Sequence, residues 1–420
     1  MSTHRLITAF EHELVRVDGA LFRNEHLDTL ERWLIGRPDL PFTVERRGIR
    51  FVQYVGVLQV DDLTIEVLPK LDRDGQLSAG TREQYRRALY RMLQVSGHIS
   101  ARIVGKASVK LAEASLLDIF YEEYVRRVEE LIRSGLVKQY RTTEENVQAL
   151  RGRILFGESA KRNAAHEERH YCAVTRYTVN NLFNGVISAA LTVVASHARV
   201  PEIGARASRL ALSLDSVDSS PITRATFQRI RLTRKTESYR SPFELARLIL
   251  LGTSPTLSRG ADSVVSILFD MNQLYETYVV RMFKRVEQRI PGLRVRAQQS
   301  KRFWEHKLIR PDILIEFQEV RSVVDTKWKV PLNNNPSDAD LKQMYAYNRL
   351  WHCEHSHLLY PATASSTALT GTFSDGAGSC SMSFIELFDA DSGKLKNDLS
   401  DIVMELVQPS ALTPSSRIRG

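Results

Sequence analysis

The chain has 420 residues, and 58 Lys and Arg residues against 49 Asp and Glu residues give it a net charge of +9. A hydrophobic fraction of 43% with 25% charged residues excludes a disordered or fibrous chain, and the length predicts roughly two or three domains. The most apolar stretch, residues 185–195, is too short to cross a bilayer, and the three scattered cysteines fit a reducing compartment. We therefore expect a cytoplasmic protein without a membrane segment, whose positive charge hints at an anionic partner such as nucleic acid.

The first hundred residues are predicted to be rich in β-structure and to end in a helix. Residues 50–60 and 63–68 are dense in β-branched and aromatic side chains and flank a turn at residues 61–62, which predicts a β-hairpin. From Thr81, apolar residues recur at helical spacing until Gly97.

The middle of the chain is predicted to be helical. A long amphipathic pattern covers residues 114–136 and is closed by Gly135. Residues 178–197 and 242–251 have similar periodicity.

A third pattern begins near residue 261. An apolar stripe predicts one long helix over residues 263–289, and Ser337 and Asp340 have capping-box spacing at the head of a helix that reaches Leu350. Short strands are predicted at residues 294–296, 312–317, 322–329, 357–360 and 384–388.

Two of these strands carry a possible active site. A polar turn at residues 318–321 joins them into a predicted hairpin. With the turn at Glu319-Val320, Asp312 faces Lys327 across the ladder, and Asp325 shares that face because side chains alternate along a strand. The sequence therefore predicts that two carboxylates and one ammonium converge on one patch.

This grouping suits phosphodiester hydrolysis. Two Asp side chains can bind Mg²⁺, and a Lys can orient or deprotonate the attacking water and offset charge in the transition state. Glu276 lies off the apolar stripe of the preceding helix and is a candidate third metal-directed carboxylate, although an ordinary surface glutamate fits its position equally well.

The order of these elements resembles the core of the PD-(D/E)xK nuclease superfamily. Gln343 and Tyr347 lie four residues apart on the following helix, similar to the Gln-x-x-x-Tyr element of some of those nucleases. A second Arg-Pro-Asp at residues 37–39 lacks a following apolar strand and is predicted to be a turn.

Three further segments resemble the McrC family, the nuclease subunits of McrBC-type modification-dependent restriction systems. They are residues 54–70, 150–155 and 269–276. The resemblance implies an Mg²⁺-dependent DNA endonuclease with catalytic Asp312, Asp325 and Lys327. We add Glu276, Gln343 and Tyr347 as further catalytic candidates, and we predict Asp312, Asp325 and Glu276 as metal ligands.

The same resemblance implies a two-component machine. In that family the N-terminal part docks onto a hexameric AAA+ GTPase, McrB, which recognises DNA with modified cytosine and translocates it. The present sequence has no G-x-x-x-x-G-K-[ST] loop, so we expect no nucleotide site in this chain. The hairpin around residues 61–62, or a neighbouring loop, is a candidate docking element, and a plain core hairpin is an equal alternative.

The predicted fold class is therefore α/β, in the sense of an α+β multidomain chain. The predicted segments are a β-rich docking domain at 1–110, a helical middle domain at 111–255, a nuclease domain at 256–407 and a loose tail at 408–420. The nuclease domain is expected to contain a mixed restriction-endonuclease-like sheet flanked by helices.

Cations precede the proposed site, as a nuclease that holds backbone phosphates requires. The candidate DNA contacts are Arg294, Arg296, Lys301, Arg302 and Arg310. The adjacent Phe303 and Trp304 are expected to be core anchors.

The sequence contains two further patterns that suggest zinc sites, and two alternative functions remain open. His166 and His170 match H-E-x-x-H, and residues 352–357 contain a His/Cys cluster, but neither shows a zinc-ligand arrangement. An NTPase activator with a weak or idle nuclease is one alternative function. A helicase-linked repair exonuclease, suggested by Gln343 and Tyr347, is the other.

Overall fold

The computed structural model describes residues 5–35, 40–70, 79–100, 115–166, 168–218, 222–252, 264–363, 366–389 and 395–407. In these ranges the strands are β1 Arg5–Phe10, β2 Leu14–Arg16, β3 Phe42–Glu45, β4 Gly48–Phe51, β5 Tyr54–Val60, β6 Leu63–Leu68, β7 Gln139–Val147, β8 Arg153–Ile154, β9 His170–Thr178, β10 Val264–Asp270, β11 Arg294–Ala297, β12 Lys301–Trp304, β13 Lys307–Ile309, β14 Ile313–Phe317, β15 Val320–Thr326, β16 His355–Pro361, β17 Leu369–Thr372 and β18 Ser379–Ile385. The α-helices are α1 Asn24–Leu34, α2 Ala79–Val95, α3 Leu116–Ser134, α4 Phe156–Arg162, α5 Leu182–His197, α6 Pro201–Leu212, α7 Arg224–Arg229, α8 Arg240–Gly252, α9 Met271–Glu287, α10 Asp338–Trp351 and α11 Ser400–Val407.

The strands form several separate sheets. A six-stranded mixed sheet has the order β11-β14-β15-β16-β18-β17, in which β15, β16 and β18 are parallel neighbours and the other pairs are antiparallel. A four-stranded sheet has the order β1-β6-β5-β10, and two three-stranded sheets have the orders β2-β4-β3 and β7-β9-β8. Strands β12 and β13 form a two-stranded ribbon of their own.

The chain divides into two compact units, each built from separate stretches of sequence. One contains residues 1–5, 57–64 and 105–267, and the other contains residues 6–56, 65–104 and 268–420. The four predicted segments stay a prediction, and the tail at 408–420 and the turn at 37–39 lie outside the described residues.

Helix α10 covers one face of the six-stranded sheet. Its buried Met344, Tyr347 and Trp351 pack in one cluster with sheet residues that include Leu314 and Leu358. Burial of several large side chains, at about 1.5–3 kcal/mol each, holds the helix against the strands that carry the candidate site. Ser337 caps this helix as predicted, because its Oγ accepts a hydrogen bond from the Asp340 amide.

The mixed α/β architecture confirms the predicted fold class. The hairpin of β5 and β6, the long helix α3 that ends before Gly135, and the helices α2, α5 and α8 also form as predicted. No helix in the described part of the chain combines the length and the apolar character that a bilayer crossing needs.

The predicted single helix over residues 263–289 is wrong in its first part. Residues Val264–Asp270 form strand β10, and only Met271–Glu287 is helical. The side chain of Asp270 accepts hydrogen bonds from the amides of Asn272 and Gln273, which starts the helix there. A short apolar run fits a buried strand as well as a helix, and sheet pairing decided between them.

The sequence did not indicate strands β7 and β9 within the region predicted to be helical. They pair antiparallel over nine residues, from Gln139 with Thr178 to Val147 with His170. Most side chains of β7 are exposed or half-exposed and polar, so no apolar alternation marks the strand in the sequence.

Candidate active site

The predicted hairpin of the candidate site forms, but its register differs from the prediction. Phe317 pairs with Val320 and Ile313 pairs with Val324, so the turn is Gln318-Glu319. Continued by one residue, this register sets Asp312 opposite Asp325, and the predicted pairing of Asp312 with Lys327 is wrong. The observed register differs from the predicted one by two residues. Because side chains alternate along a strand with a period of two, all three side chains remain on the predicted face.

Asp312 lies at the start of the first strand and is held by Thr326. Its Oδ2 accepts hydrogen bonds from the Thr326 amide and from Thr326 Oγ1, both at 2.7 Å. Thr326 is the middle residue of Asp325-Thr326-Lys327, so the second strand itself fixes the orientation of this carboxylate.

Asp325 is buried, with only 3% of its surface exposed. Its Oδ2 lies 2.6 Å from Lys327 Nζ, and its Oδ1 accepts a hydrogen bond from Gln343 Nε2 at 3.1 Å. Burial raises the pKa of Asp325, the negative charge of Asp312 raises it further, and Lys327 opposes both effects. An additional cation near Asp325 would therefore favour the charged form of its carboxylate.

Lys327 connects the two strands to helix α10. Its Nζ contacts Asp325, lies 3.3 Å from Asp340 Oδ1, and donates to Gln343 Oε1 at 3.2 Å. Burial lowers the pKa of Lys327, but the two carboxylates outweigh it and keep that pKa above its usual value. The ammonium group is therefore charged and oriented at neutral pH.

Gln343 and Tyr347 lie one turn apart on α10 and both reach the site. Gln343 Nε2 donates to the Tyr347 hydroxyl at 2.8 Å as well as to Asp325, and the Tyr347 hydroxyl donates to the carbonyl oxygen of Arg310 at 2.7 Å. Burial raises the pKa of Tyr347, so the phenol is neutral at physiological pH. Gln343 touches the charged pair directly, whereas Tyr347 ties the helix to the segment just before Asp312.

Glu276 of helix α9 lies near the same carboxylates. Burial raises the pKa of Glu276, and Asp312 contributes to the rise through its charge. Gln298 Nε2 donates to Glu276 Oε1 at 2.7 Å, and the Gln298 amide donates to the carbonyl oxygen of Asp312 at 3.0 Å. The structure thus links Glu276 to Asp312 through a residue that the sequence did not indicate.

The donor set fits a hard divalent cation. Asp312 raises the pKa of both Asp325 and Glu276, so its negative charge acts on each of the other two carboxylates. Mg²⁺ binds proteins through one or two carboxylates and keeps several waters. In the described ranges no group of three or more His, Cys, Asp or Glu side chains is arranged to hold a metal by itself. Asp312 and Asp325 match such a water-rich site, and Glu276 as a third ligand stays a prediction.

Asp340 was predicted only as a helix-capping residue. It accepts hydrogen bonds from Lys329 Nζ and Ser337 Oγ, both at 2.7 Å, in addition to its contact with Lys327. Although burial raises its pKa, Lys329, Ser337 and Lys327 together hold the pKa of Asp340 below its usual value. Its position three residues before Gln343, on the same helix face, was the available sequence signal.

Glu11, in the N-terminal part of the chain, contacts Trp328, the residue that follows Lys327. It is 2% exposed, and its Oε1 accepts hydrogen bonds from Trp328 Nε1 at 2.7 Å and the Lys70 amide at 2.8 Å. Burial raises the pKa of Glu11 to about 7. The centre of the Trp328 ring lies 5.2 Å from that of Tyr275. Trp328 follows Lys327 in the sequence and Tyr275 precedes Glu276, so this ring contact connects the two segments that carry these candidate site residues.

The predicted DNA-contact residues differ in their surroundings. Arg296 forms an ion pair with Glu316 at 3.1 Å, and Lys301 Nζ donates to the carbonyl oxygen of Leu350 at 2.6 Å. Arg294, Arg302 and Arg310 are exposed. Arg296 and Lys301 are exposed as well, so all five candidates are accessible to a phosphate backbone.

The two histidine patterns lie in other surroundings. His166 contacts Glu168 in a turn, and His170 begins strand β9. His355 and His357 share hydrogen bonds with Ser379 and Ser383 through their Nδ1 atoms.

Comparisons with known proteins agree with this architecture. A family model described as "McrBC 5-methylcytosine restriction system component" matches residues 49–361. A chain from the refined half-complex of a tetradecameric assembly of Thermococcus gammatolerans McrB AAA+ hexamers with bound McrC aligns with a TM-score of 0.64 at 18% identity, over 95% of this chain and 98% of that chain. A chain from the cryo-EM structure of the Thermococcus gammatolerans McrBC complex aligns with a TM-score of 0.47 at 19% identity, over 67% and 88% of the two chains. No curated protein matches the sequence.

Proposed function

The chain belongs to the McrBC family of 5-methylcytosine restriction system components, and on that premise we propose that it is the nuclease subunit of such a system. In this role it is an Mg²⁺-dependent endonuclease that hydrolyses phosphodiester bonds in double-stranded DNA with modified cytosine.

The observation that supports this proposal is the meeting of Asp312, Asp325 and Lys327 at one end of a hairpin in the six-stranded sheet. Asp325 and Lys327 are 2.6 Å apart, and the charge of Asp312 acts on Asp325. Buried carboxylates whose pKa is raised by a neighbouring carboxylate cluster at catalytic sites, and this favours an active nuclease over a protein that only binds a partner.

Each side chain has a separate task in this proposal. Asp312 and Asp325 hold the cation, which when bound polarises the phosphate and neutralises charge that develops in the transition state. Lys327 orients the attacking water and offsets the same charge. Gln343 holds the Asp325 carboxylate and the Lys327 ammonium group in one geometry, because it donates to the first and accepts from the second.

We also propose that this chain acts with a partner AAA+ GTPase hexamer. The Thermococcus gammatolerans assembly to which its fold is similar consists of McrB AAA+ hexamers with bound McrC. The present sequence has no P-loop motif, so nucleotide hydrolysis must come from another chain.

Reconstitution with the AAA+ partner tests the proposal. NTP turnover and DNA cleavage are measured separately, on circular and linear DNA with modified cytosine, with and without Mg²⁺. Mg²⁺-dependent cutting of circular DNA that Lys327→Ala abolishes supports the endonuclease. Stimulated NTP turnover without cutting would instead identify an activator, and degradation confined to linear DNA would identify an exonuclease.

A further inference from the structure

A two-stranded ribbon projects next to the candidate site. It consists of β12, β13 and the turn Glu305-His306 between them. Trp304 and Lys307 pair with each other on the two sides of this turn. Phe303, Trp304 and Leu308 are 58%, 60% and 66% exposed, so the prediction that Phe303 and Trp304 anchor a core is wrong. The ribbon has only two strands, and neither of its faces is covered enough to bury these side chains.

The base of the ribbon is fixed at the candidate site. The chain leaves the six-stranded sheet after Ala297 and returns to it at Ile313, which pair with each other. Between these points Gln298 donates its amide to Asp312 and its side chain to Glu276. Both ends of the ribbon therefore join the rest of the protein at the candidate site.

One side of the ribbon is also attached to helix α10. Lys301 Nζ donates to the carbonyl oxygen of Leu350, and the same nitrogen lies 5.1 Å from the centre of the Trp351 ring. These contacts hold the first strand of the ribbon against helix α10, while Phe303 and Trp304 stay exposed.

The net positive charge of the ribbon indicates which kind of partner it binds. Lys301, Arg302, Lys307 and Arg310 accompany a single carboxylate, Glu305, and all five are exposed. An exposed apolar patch marks a binding surface, and a cationic border around it complements a polyanion. Because the ribbon continues directly into the candidate nuclease site, DNA is the polyanion that this position favours.

We propose that the ribbon enters the major groove of the DNA duplex beside the bond to be cut, an inference that rests on the proposed nuclease function. Phe303 and Trp304 contact base edges, and Arg302 and Lys307 contact phosphates. The seven residues from His306 to Asp312 span roughly 20 Å over their six steps at the rise of an extended strand. The major groove is about 12 Å wide and admits a two-stranded β-ribbon. The ribbon is longer than this width, so it is long enough to enter the groove.

DNA binding by two paired variants tests the proposal in the full chain. Lys327→Ala is the background in all samples so that the DNA stays intact, and the probe is a short duplex with 5-methylcytosine. We expect Phe303→Ser with Trp304→Ser to weaken binding about tenfold and to remove protection of guanine N7, a major-groove atom, near the site. Arg302→Gln with Lys307→Gln should instead lower the slope of log affinity against log salt by about two.

Matched exposed residues of the same unit serve as controls. Leu369→Ser on β17 and Lys342→Gln on α10 should leave affinity and protection unchanged, because both side chains are exposed and neither belongs to the ribbon. Circular dichroism of the ribbon variants should match that of the Lys327→Ala background, since the altered side chains are on the surface.

Two results would overturn the proposal while the nuclease function stands. One is wild-type affinity and protection in both ribbon variants. The other is loss of self-association in sedimentation with unchanged DNA binding, which would make the ribbon a contact between copies of this chain. If Lys327→Ala still cuts DNA, the proposed nuclease site fails, and the binding data still decide the role of the ribbon.

Discussion

Thr326 donates two hydrogen bonds to Asp312, one from its amide and one from its hydroxyl, and both end on the same carboxylate oxygen at 2.7 Å. Thr326 occupies the variable position of an Asp-x-Lys motif, where a side chain of any type is usually allowed. In this chain it holds the first aspartate of the site against the strand that carries the other two residues.

Thr326→Val removes the hydroxyl and keeps the shape of the side chain. We expect the cleavage rate to fall about tenfold, because one of the two hydrogen bonds that orient Asp312 is lost. The same loss should lower the free energy of unfolding by about 1 kcal/mol. Thr326→Ser retains the hydroxyl and should cut nearly as well as wild type. Single-turnover cleavage rates measure the effect, and equal rates for the valine and serine variants would refute the role of the hydroxyl.

Asp325→Asn and Lys327→Ala should each lower the cleavage rate by about a thousandfold or more, the loss typical of a group that stabilises charge in the transition state. Stimulation of NTP turnover in the partner should remain, since both side chains act at the cutting site. Lys342→Ala, an exposed lysine on the neighbouring helix, is the matched control and should cut normally. Retained cleavage in either of the first two variants would contradict the assignment of the site.

Gln343→Leu removes the amide that contacts Asp325, Lys327 and Tyr347 at once. We expect a drop in cleavage of about tenfold to a hundredfold with little change in DNA affinity, because Gln343 orients the charged pair. Tyr347→Phe loses the hydrogen bond to the Arg310 carbonyl and the one accepted from Gln343. It keeps the contacts of Gln343 with Asp325 and Lys327, so it should mainly reduce the free energy of unfolding, by about 1 kcal/mol. The opposite ranking of the two variants in cleavage would show that the tyrosine hydroxyl is the more important group.

The buried carboxyl of Glu11 makes stability depend on pH. Its pKa of about 7 in the folded state lies above the usual glutamate value of 4.5, so the folded chain binds the proton more tightly than the unfolded chain and loses stability as pH rises between these values. The loss is at most on the order of 3 kcal/mol, at 1.36 kcal/mol for each pKa unit. Glu11→Gln keeps an oxygen for Trp328 and Lys70 and removes the charge.

Urea unfolding near pH 5 and near pH 8 measures this effect as a difference between the wild type and Glu11→Gln. The variant should be the more stable of the two at the higher pH and should lose less stability between the two conditions. Trp328→Phe, which removes the indole donor, should destabilise the chain at both values. Parallel pH profiles for the wild type and Glu11→Gln would exclude Glu11 as the titrating group.

Divalent cations should stabilise the folded chain through the candidate metal site. A ligand that binds the folded state alone raises Tm as its concentration exceeds Kd. We expect Mg²⁺ to raise the Tm of wild type and to have little effect on Asp312→Asn with Asp325→Asn, while Glu276→Gln separates a ligand from a bystander. Asp338→Asn, an exposed aspartate on α10, is the control. An equal rise in all variants would indicate binding elsewhere.

The sequence by itself determined the residues whose signal is local. Asp312, Asp325 and Lys327 could be placed on one face because side chains alternate along any strand, and this holds whatever the exact pairing. Gln343 and Tyr347 could be paired because a helix brings residues four apart together. The helices that end at Gly97 and Gly135 and the hairpin of β5 and β6 follow from the same short-range rules.

Only the tertiary structure decided the features that depend on residues distant in sequence. Pairing between strands set the register that places Asp312 opposite Asp325 and turned Val264–Asp270 into a strand. The folded chain buries Glu11 against Trp328, which is 317 positions away in the sequence, and it leaves Phe303 and Trp304 exposed on the surface. Periodicity reports which side of an element is apolar, but the surroundings of that side form only when the chain closes long loops, and no local pattern encodes them.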